Sequence, residues 1–327
     1  MEYRFSDKIA SLKPSAIREV LKATSVPGMI PFAAGNPAPD AFPVAEVQEI
    51  AADILKNRPI DALQYGVTEG YPELISLIKD RMKSKYGIGR DFDSIIITSG
   101  AQQVMDLSTK VLCNEGDVVI CESPSFIGSL NCFRSYNAKL VGVPVDADGM
   151  NIDALEKALD ENPNAKMIYT IPNFQNPAGV TMSLEKRRKL YELAKAHNVM
   201  ILEDNPYGEL RFEGEYMPAL KSLDTKGLVI YLGTFSKILA PGYRLGWVCA
   251  EDEILAKYNF MEQAASLQAS TIGQMETSKW IDMFDLDAHV NTIRECYKKR
   301  RAVMLDTLAK ELPAPCPFTR PDGGLFA

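Results

Sequence analysis

The stretch VIYLGTFSKILAPGYRLGW, residues 229–247, puts Ser236, Lys237 and Arg244 within one short segment. An apolar run ends at Gly233, and the lysine follows almost at once. A lysine at a strand end can reach inward. It loses its proton when desolvated or set beside another cation, and it can then capture a carbonyl as a Schiff base. A serine hydroxyl and a forked guanidinium suit a phosphate. Gly242 and Gly246 permit a tight turn between them. The competing reading is a surface lysine beside a structural arginine.

Four further segments carry polar groups where a strand hands over to a loop or helix. In SIIITSGAQQ, residues 94–103, a β-branched run stops at Ser99-Gly100 and a helical pattern begins. The free N–H groups of a helix start attract anions. Gly100 lets the backbone come close, and Ala101 and Gln102 present N–H groups; a plain strand-to-helix turn uses the same residues. IPNFQNPAG, residues 171–179, offers Asn176 as a donor to a ring oxygen, or is simply a polar turn. MILEDNPYGEL, residues 200–210, runs a buried-looking strand into Asp204, with Tyr207 three residues on. A carboxylate there can keep a pyridine nitrogen protonated, or can merely cap a turn. ALQYGVTEGYPEL, residues 62–74, sets Tyr65 in a loop between helices, which spacing alone explains as a packed aromatic.

The elements that must position these groups alternate. Strands are expected at 94–98, 118–121, 140–143, 167–171, 199–202 and 229–232. Helices are expected at 44–55, 72–86, 101–112, 152–159, 184–197 and 287–312, with a short one at 15–22. Short apolar strands alternating with helices predict a mostly parallel sheet covered on both faces, with ligands at the strands' carboxyl ends. PFAAGNPAPDAFP, residues 31–43, holds four prolines and reads as a loop. The tail 318–327 reads as the start of a further sheet.

Composition narrows the function classes. The chain has 327 residues, 46% hydrophobic, with a formal net charge of −7. An acidic chain argues against a nucleic-acid backbone as partner. The one basic run, Lys298 to Arg301, is expected to be a solvated helix face. Six cysteines without a close pair read as reduced thiols, and no Cys/His grouping suggests a metal. There is no apolar leader and no membrane-length apolar run, which points to a cytoplasmic protein without a membrane partner. No G-x-G-x-x-G follows the first strand and no P-loop is present, which sets aside a dinucleotide enzyme.

Taken in order, the five segments resemble the class I/II aminotransferases of pyridoxal-phosphate (PLP) fold type I, nearest to the 2-aminoadipate, kynurenine and aromatic aminotransferases. The resemblance runs from about Gly35 to Ala327. It implies an α/β fold with a large PLP-binding domain over 45–280. A small α+β domain would come from 1–44 and 281–327, with its C-terminal part incomplete. It implies that Lys237 carries PLP as a Schiff base and serves as base and acid. Asp204 would hold the ring nitrogen, and Tyr207 and Asn176 the ring oxygen. Gly100, Ala101, Gln102, Ser236 and Arg244 would hold the phosphate. Phe126, in ESPSFIG, would stack on the ring; many relatives have tyrosine there. Tyr65 would reach the phosphate of a partner subunit in a homodimer, and Gly35 and Asn36 would cover the substrate.

The implied reaction moves an amino group from an L-amino acid to a 2-oxo acid, with 2-oxoglutarate as acceptor. The alternatives on the same fold are a PLP-dependent β-lyase and a non-catalytic PLP-binding regulatory domain. The family's arginine for the substrate carboxylate lies beyond GGLFA, residues 323–327, so the resemblance assigns that role to no residue of this sequence.

Overall fold

The computed structural model describes residues 3–10, 28–30, 32 and 35–327. The expected helix at 15–22 lies outside these residues. One eight-stranded sheet organises the rest: β1 (Asp93–Thr98), β2 (Val118–Ser123), β3 (Lys139–Asp146), β4 (Gly149–Met150), β5 (Ala165–Thr170), β6 (Met200–Asp204), β7 (Val229–Thr234) and β8 (Gly246–Glu251). Their spatial order is β1-β8-β7-β6-β5-β2-β3-β4. The run β3-β2-β5-β6-β7 is parallel throughout. The expectation of an α/β fold built on a mostly parallel sheet stands.

The central strands are apolar along their whole length because both faces are covered. All six residues of β7 are buried, as are four of five in β6. Helices between the strands supply the cover. The helix Pro72–Tyr86 starts on a proline at its first turn and stops at Gly87, which has φ 62°. Leu184–His197 is capped by the Ser183 hydroxyl, which accepts from the Lys186 N–H.

Four features depart from the sequence-based expectations. Strand β8 and the helices Asp252–Ala265 and Thr271–Met283 were not anticipated. β8 runs antiparallel to both β7 and β1, so the end of β7 and the start of β8 share one edge of the sheet. The tail 318–327 forms no strand; its pairing is a single bridge from Gly323 to Arg211. Pro321 in the tail lacks the N–H a ladder needs, as do Pro313, Pro315 and Pro317 just before it. Finally, the basic run is not uniformly solvated. Arg301 is half-buried, pairs with Glu213 at 2.7 Å and donates to the Pro321 carbonyl at 2.8 Å. Among the described residues the cysteines are free thiols, and no helix is long and apolar enough to cross a membrane.

Candidate active site

A cavity of about 300 Å³ opens at the carboxyl ends of β5, β6 and β7. It gathers ten of the sequence candidates: Asn36, Ala101, Gln102, Phe126, Asn176, Asp204, Tyr207, Ser236, Lys237 and Arg244. Met105, Ile171, Pro206, Thr234 and Pro241 complete the wall. A larger cavity of about 490 Å³, between the helices Val44–Asn57, Pro72–Tyr86 and Thr271–Met283, contains none of the candidates.

Lys237 enters from the turn after β7. Its Nζ donates to the Gly35 carbonyl at 3.0 Å, which ties the expected substrate loop to the cavity. Burial, and then the nearby Arg244 cation, push the amine down to about 8. The amine is thus partly neutral near physiological pH, the form that attacks carbonyls.

The anion end of the cavity forms where β1, β7 and β8 meet. The helix Ala101–Leu112 begins after Gly100, which has φ 80° and ψ 173°. The Gly100 N–H is taken by the Thr98 carbonyl at 2.7 Å, so Gly100 contributes space rather than a donor. A Cβ there would stand 2.6 Å from the Arg244 guanidinium. One at Gly246 would stand 3.0 Å from the Ala101 nitrogen. The guanidinium therefore lies against a helix N-terminus, which also carries partial positive charge. Two positive groups pressed together call for an anion between or beside them. Ser236 sits at the same end, bonded to the Thr234 hydroxyl at 3.0 Å.

At the opposite end lies Asp204, fully enclosed at the tip of β6. Its Oδ2 accepts from the Tyr169 hydroxyl at 2.7 Å, and its Oδ1 has no hydrogen-bond partner among the described residues. Burial raises its carboxyl to about 7, and the Tyr169 bond works against that rise. An orphaned carboxylate oxygen facing a cavity fits a cationic N–H donor. Tyr207 and Asn176 stand side by side, with Asn176 Nδ2 3.5 Å from the Tyr207 hydroxyl. Phe126 supplies a flat ring, with Gly128 packed close beneath it.

Three candidates are not among the residues that line the cavity: Gly100, which lies against the Arg244 guanidinium, Gly35 and Tyr65. Gly35 meets it only through its carbonyl. Tyr65 is on the surface, 77% exposed, among Ile60, Leu63 and Val67, which are exposed as well. Three residues at the site escaped the sequence reading. Tyr169 reads as ordinary strand core, and its partner on the neighbouring strand is not visible in one dimension. Glu122, at the end of β2, accepts from Thr170 at 2.6 Å, the Ile171 N–H at 3.1 Å and Gln175 at 3.0 Å. Gln175 also bonds the Pro124 carbonyl at 2.8 Å, which joins the Phe126 and Asn176 segments.

The three ends of this cavity match one small molecule. Pyridoxal phosphate carries a phosphate, a ring nitrogen that can be protonated, and an aldehyde for an amine. The residues present fit it. Comparison with known proteins agrees. The family described as aminotransferase class I and II matches residues 27–327. Aromatic-amino-acid aminotransferase 1 of Thermococcus litoralis is 42% identical, covering 99% of this chain and 79% of that protein. The 2-aminoadipate transaminase of Thermus thermophilus is 35% identical, covering 98% of this chain and 80% of that protein. The structure of Pyrococcus horikoshii kynurenine aminotransferase, solved in complex with PMP, superposes with a TM-score of 0.94 at 39% identity. That match covers 98% of this chain and 80% of the other. The chain belongs to the class I and II aminotransferases, pyridoxal-phosphate-dependent enzymes that transfer amino groups between amino acids and oxo acids.

Proposed function

We propose that Lys237 is the lysine that carries the cofactor, and that the cavity around it performs transamination of an aromatic or 2-aminoadipate-like L-amino acid. The observation behind this reading is the opposition within one cavity of a depressed lysine amine and a buried carboxylate with an unused oxygen. The donor class follows the names of the relatives in Thermococcus litoralis and Thermus thermophilus. 2-Oxoglutarate is the proposed acceptor, and the cytoplasm the proposed compartment.

Each side chain then has a task. The N–H groups of Ala101 and Gln102, the Ser236 hydroxyl and the Arg244 guanidinium hold the phosphate, in the room left by Gly100. Asp204 holds a protonated ring nitrogen through Oδ1. Tyr207 and Asn176 donate to the ring oxygen, and Phe126 covers the ring face. Pyridoxal phosphate, when bound, supplies an electron sink that makes the α-hydrogen of an amino acid acidic. Lys237 Nζ takes that proton as base and returns it as acid, which its position near neutrality suits. Asn36 and Gly35 close over the substrate. Residues 45–280 form the large domain in this reading, and 1–44 with 281–327 the small one.

We also propose a homodimer in which Tyr65 reaches the partner's phosphate site. The exposed apolar side chains Ile60 (74%) and Leu63 (72%) beside it support an interface there.

The test is the absorbance spectrum of the purified chain with PLP, before and after a panel of L-amino acids, and again for Lys237→Ala. A visible band that amino acids bleach, absent in Lys237→Ala, is expected. A band that survives Lys237→Ala removes this lysine from the role. A Lys237-dependent band that no amino acid bleaches leaves cofactor binding without transamination. Sedimentation of the wild type and Leu63→Glu tests the dimer, which the charge should split.

A further inference from the structure

Tyr169 and Ser129 lie directly behind Asp204, out of reach of the cavity. The Ser129 hydroxyl donates to the Tyr169 oxygen at 2.7 Å, and the Tyr169 hydroxyl donates to Asp204 Oδ2 at 2.7 Å. Ser129 also contacts the Met105 sulfur at 2.8 Å. Ser129 and Tyr169 have no solvent exposure, and Asp204 has 2%. Strand register explains the alignment: Tyr169 of β5 pairs with Leu202 of β6. Asp204, two residues further along β6, therefore shares its sheet face.

A phenol that already accepts from serine has one hydrogen left to give, and it gives it to Asp204. That bond has three consequences for the carboxylate. It occupies Oδ2, fixes the torsion of the carboxyl group, and leaves Oδ1 as the only oxygen for a ligand. It also favours the ionised form at a site where burial opposes charge. We propose that Tyr169, oriented by Ser129, is a positioning residue that keeps Asp204 ionised and turns one defined oxygen toward the cofactor. This deepens the reading of Asp204 above and rests on it.

Other groups act on the same carboxylate and must be separated from Tyr169. Glu122 at the end of β2 and Tyr207 beyond β6 both feel its charge. Lys237 and Arg244 are the cations of the shared cavity.

The experiment measures the PLP dissociation constant by absorbance titration across a pH series. It uses the wild type, Tyr169→Phe, Ser129→Ala, Asp204→Asn and the double variant Tyr169→Phe/Asp204→Asn. Tyr169→Phe deletes one oxygen and keeps the ring, and circular dichroism checks its fold. Loss of a hydrogen bond to a charged group predicts affinity about tenfold to a hundredfold weaker in Tyr169→Phe. The deficit should be widest near neutral pH and shrink in alkaline buffer, where the carboxyl ionises unaided. Ser129→Ala should move the same way by less. In the Asp204→Asn background, Tyr169→Phe should add nothing.

Wild-type affinity in Tyr169→Phe overturns the inference while leaving the Asp204 assignment intact, provided Asp204→Asn itself binds weakly. An equal loss from Tyr169→Phe with and without Asp204 also overturns it, since the tyrosine would then act elsewhere. An Asp204→Asn variant that binds PLP like the wild type removes the underlying assignment, and the inference with it.

Discussion

Gly100→Ala separates two effects that a single glycine combines. The first is local: φ 80° with ψ 173° is a conformation that side chains avoid, costing about 1–3 kcal/mol. The second is a collision. The added methyl would stand 2.6 Å from Arg244 Nη2 and 3.1 Å from Cζ, well inside van der Waals contact. The guanidinium must retreat, and the charge-assisted contact proposed between it and the phosphate, worth about 1.5–3 kcal/mol, would be weakened or lost. Gly116 is the control. It has φ 85°, yet a Cβ there meets nothing within 4 Å. Urea denaturation of the cofactor-free proteins should show both variants destabilised, Gly116→Ala by about 1 kcal/mol and Gly100→Ala by at least as much. A PLP titration should show Gly116→Ala unchanged and Gly100→Ala weaker by about tenfold to a hundredfold. If Gly100→Ala binds PLP as tightly as the control, the close approach of Arg244 to the helix start is not what holds the phosphate.

Two further perturbations probe buried charge. Lys221 is enclosed between Asp93 at 2.6 Å and Asp224 at 3.1 Å, at the end of the sheet away from the cavity. Lys221→Met leaves two uncompensated buried carboxylates and should cost about 3–5 kcal/mol; an unchanged urea midpoint would show that the pair is hydrated. Lys237 behaves in the opposite sense. Its amine titrates near 8 in the fold, against about 10.4 in an unfolded chain. The folded form therefore binds fewer protons across that window, so its stability rises with pH there. Below pH 8 the burden is fully present, at most about 3 kcal/mol. Cofactor-free Lys237→Met should accordingly outlast the wild type in urea at pH 7, with the gap closing toward pH 10; a gap independent of pH would mean an unshifted amine.

Much of this site could be read in one dimension because its pieces follow strand ends, where polar residues interrupt apolar runs. Asp204, Lys237 and the Gly100 turn all stand at such breaks. Helices with clear punctuation, such as Pro72–Tyr86 with Gly87, are legible to the residue. What depends on a neighbouring strand is not. Nothing local in GWVCAE says that β8 runs against β7, nor that it will pair with β1. Tyr169 looks like any buried strand residue until β6 is laid beside it. Arg301 sits in a basic run, and only the fold brings Glu213 and the Pro321 carbonyl to it.

The reversed strand β8 also has a kinetic consequence. In the proposed reading the phosphate end of the cavity uses the turn after β1 and the arginine before β8, and those strands pair Asp93 with Glu251, far apart in the chain. Contacts between such distant residues form slowly, because a long loop must close before they reward it. That separation predicts that the anion site is among the last features to appear as the chain folds, after the helices and the parallel centre of the sheet. During refolding, helical ellipticity should recover ahead of PLP absorbance. The bound cofactor then marks the molecules whose sheet has closed, and stabilises them by mass action against reopening.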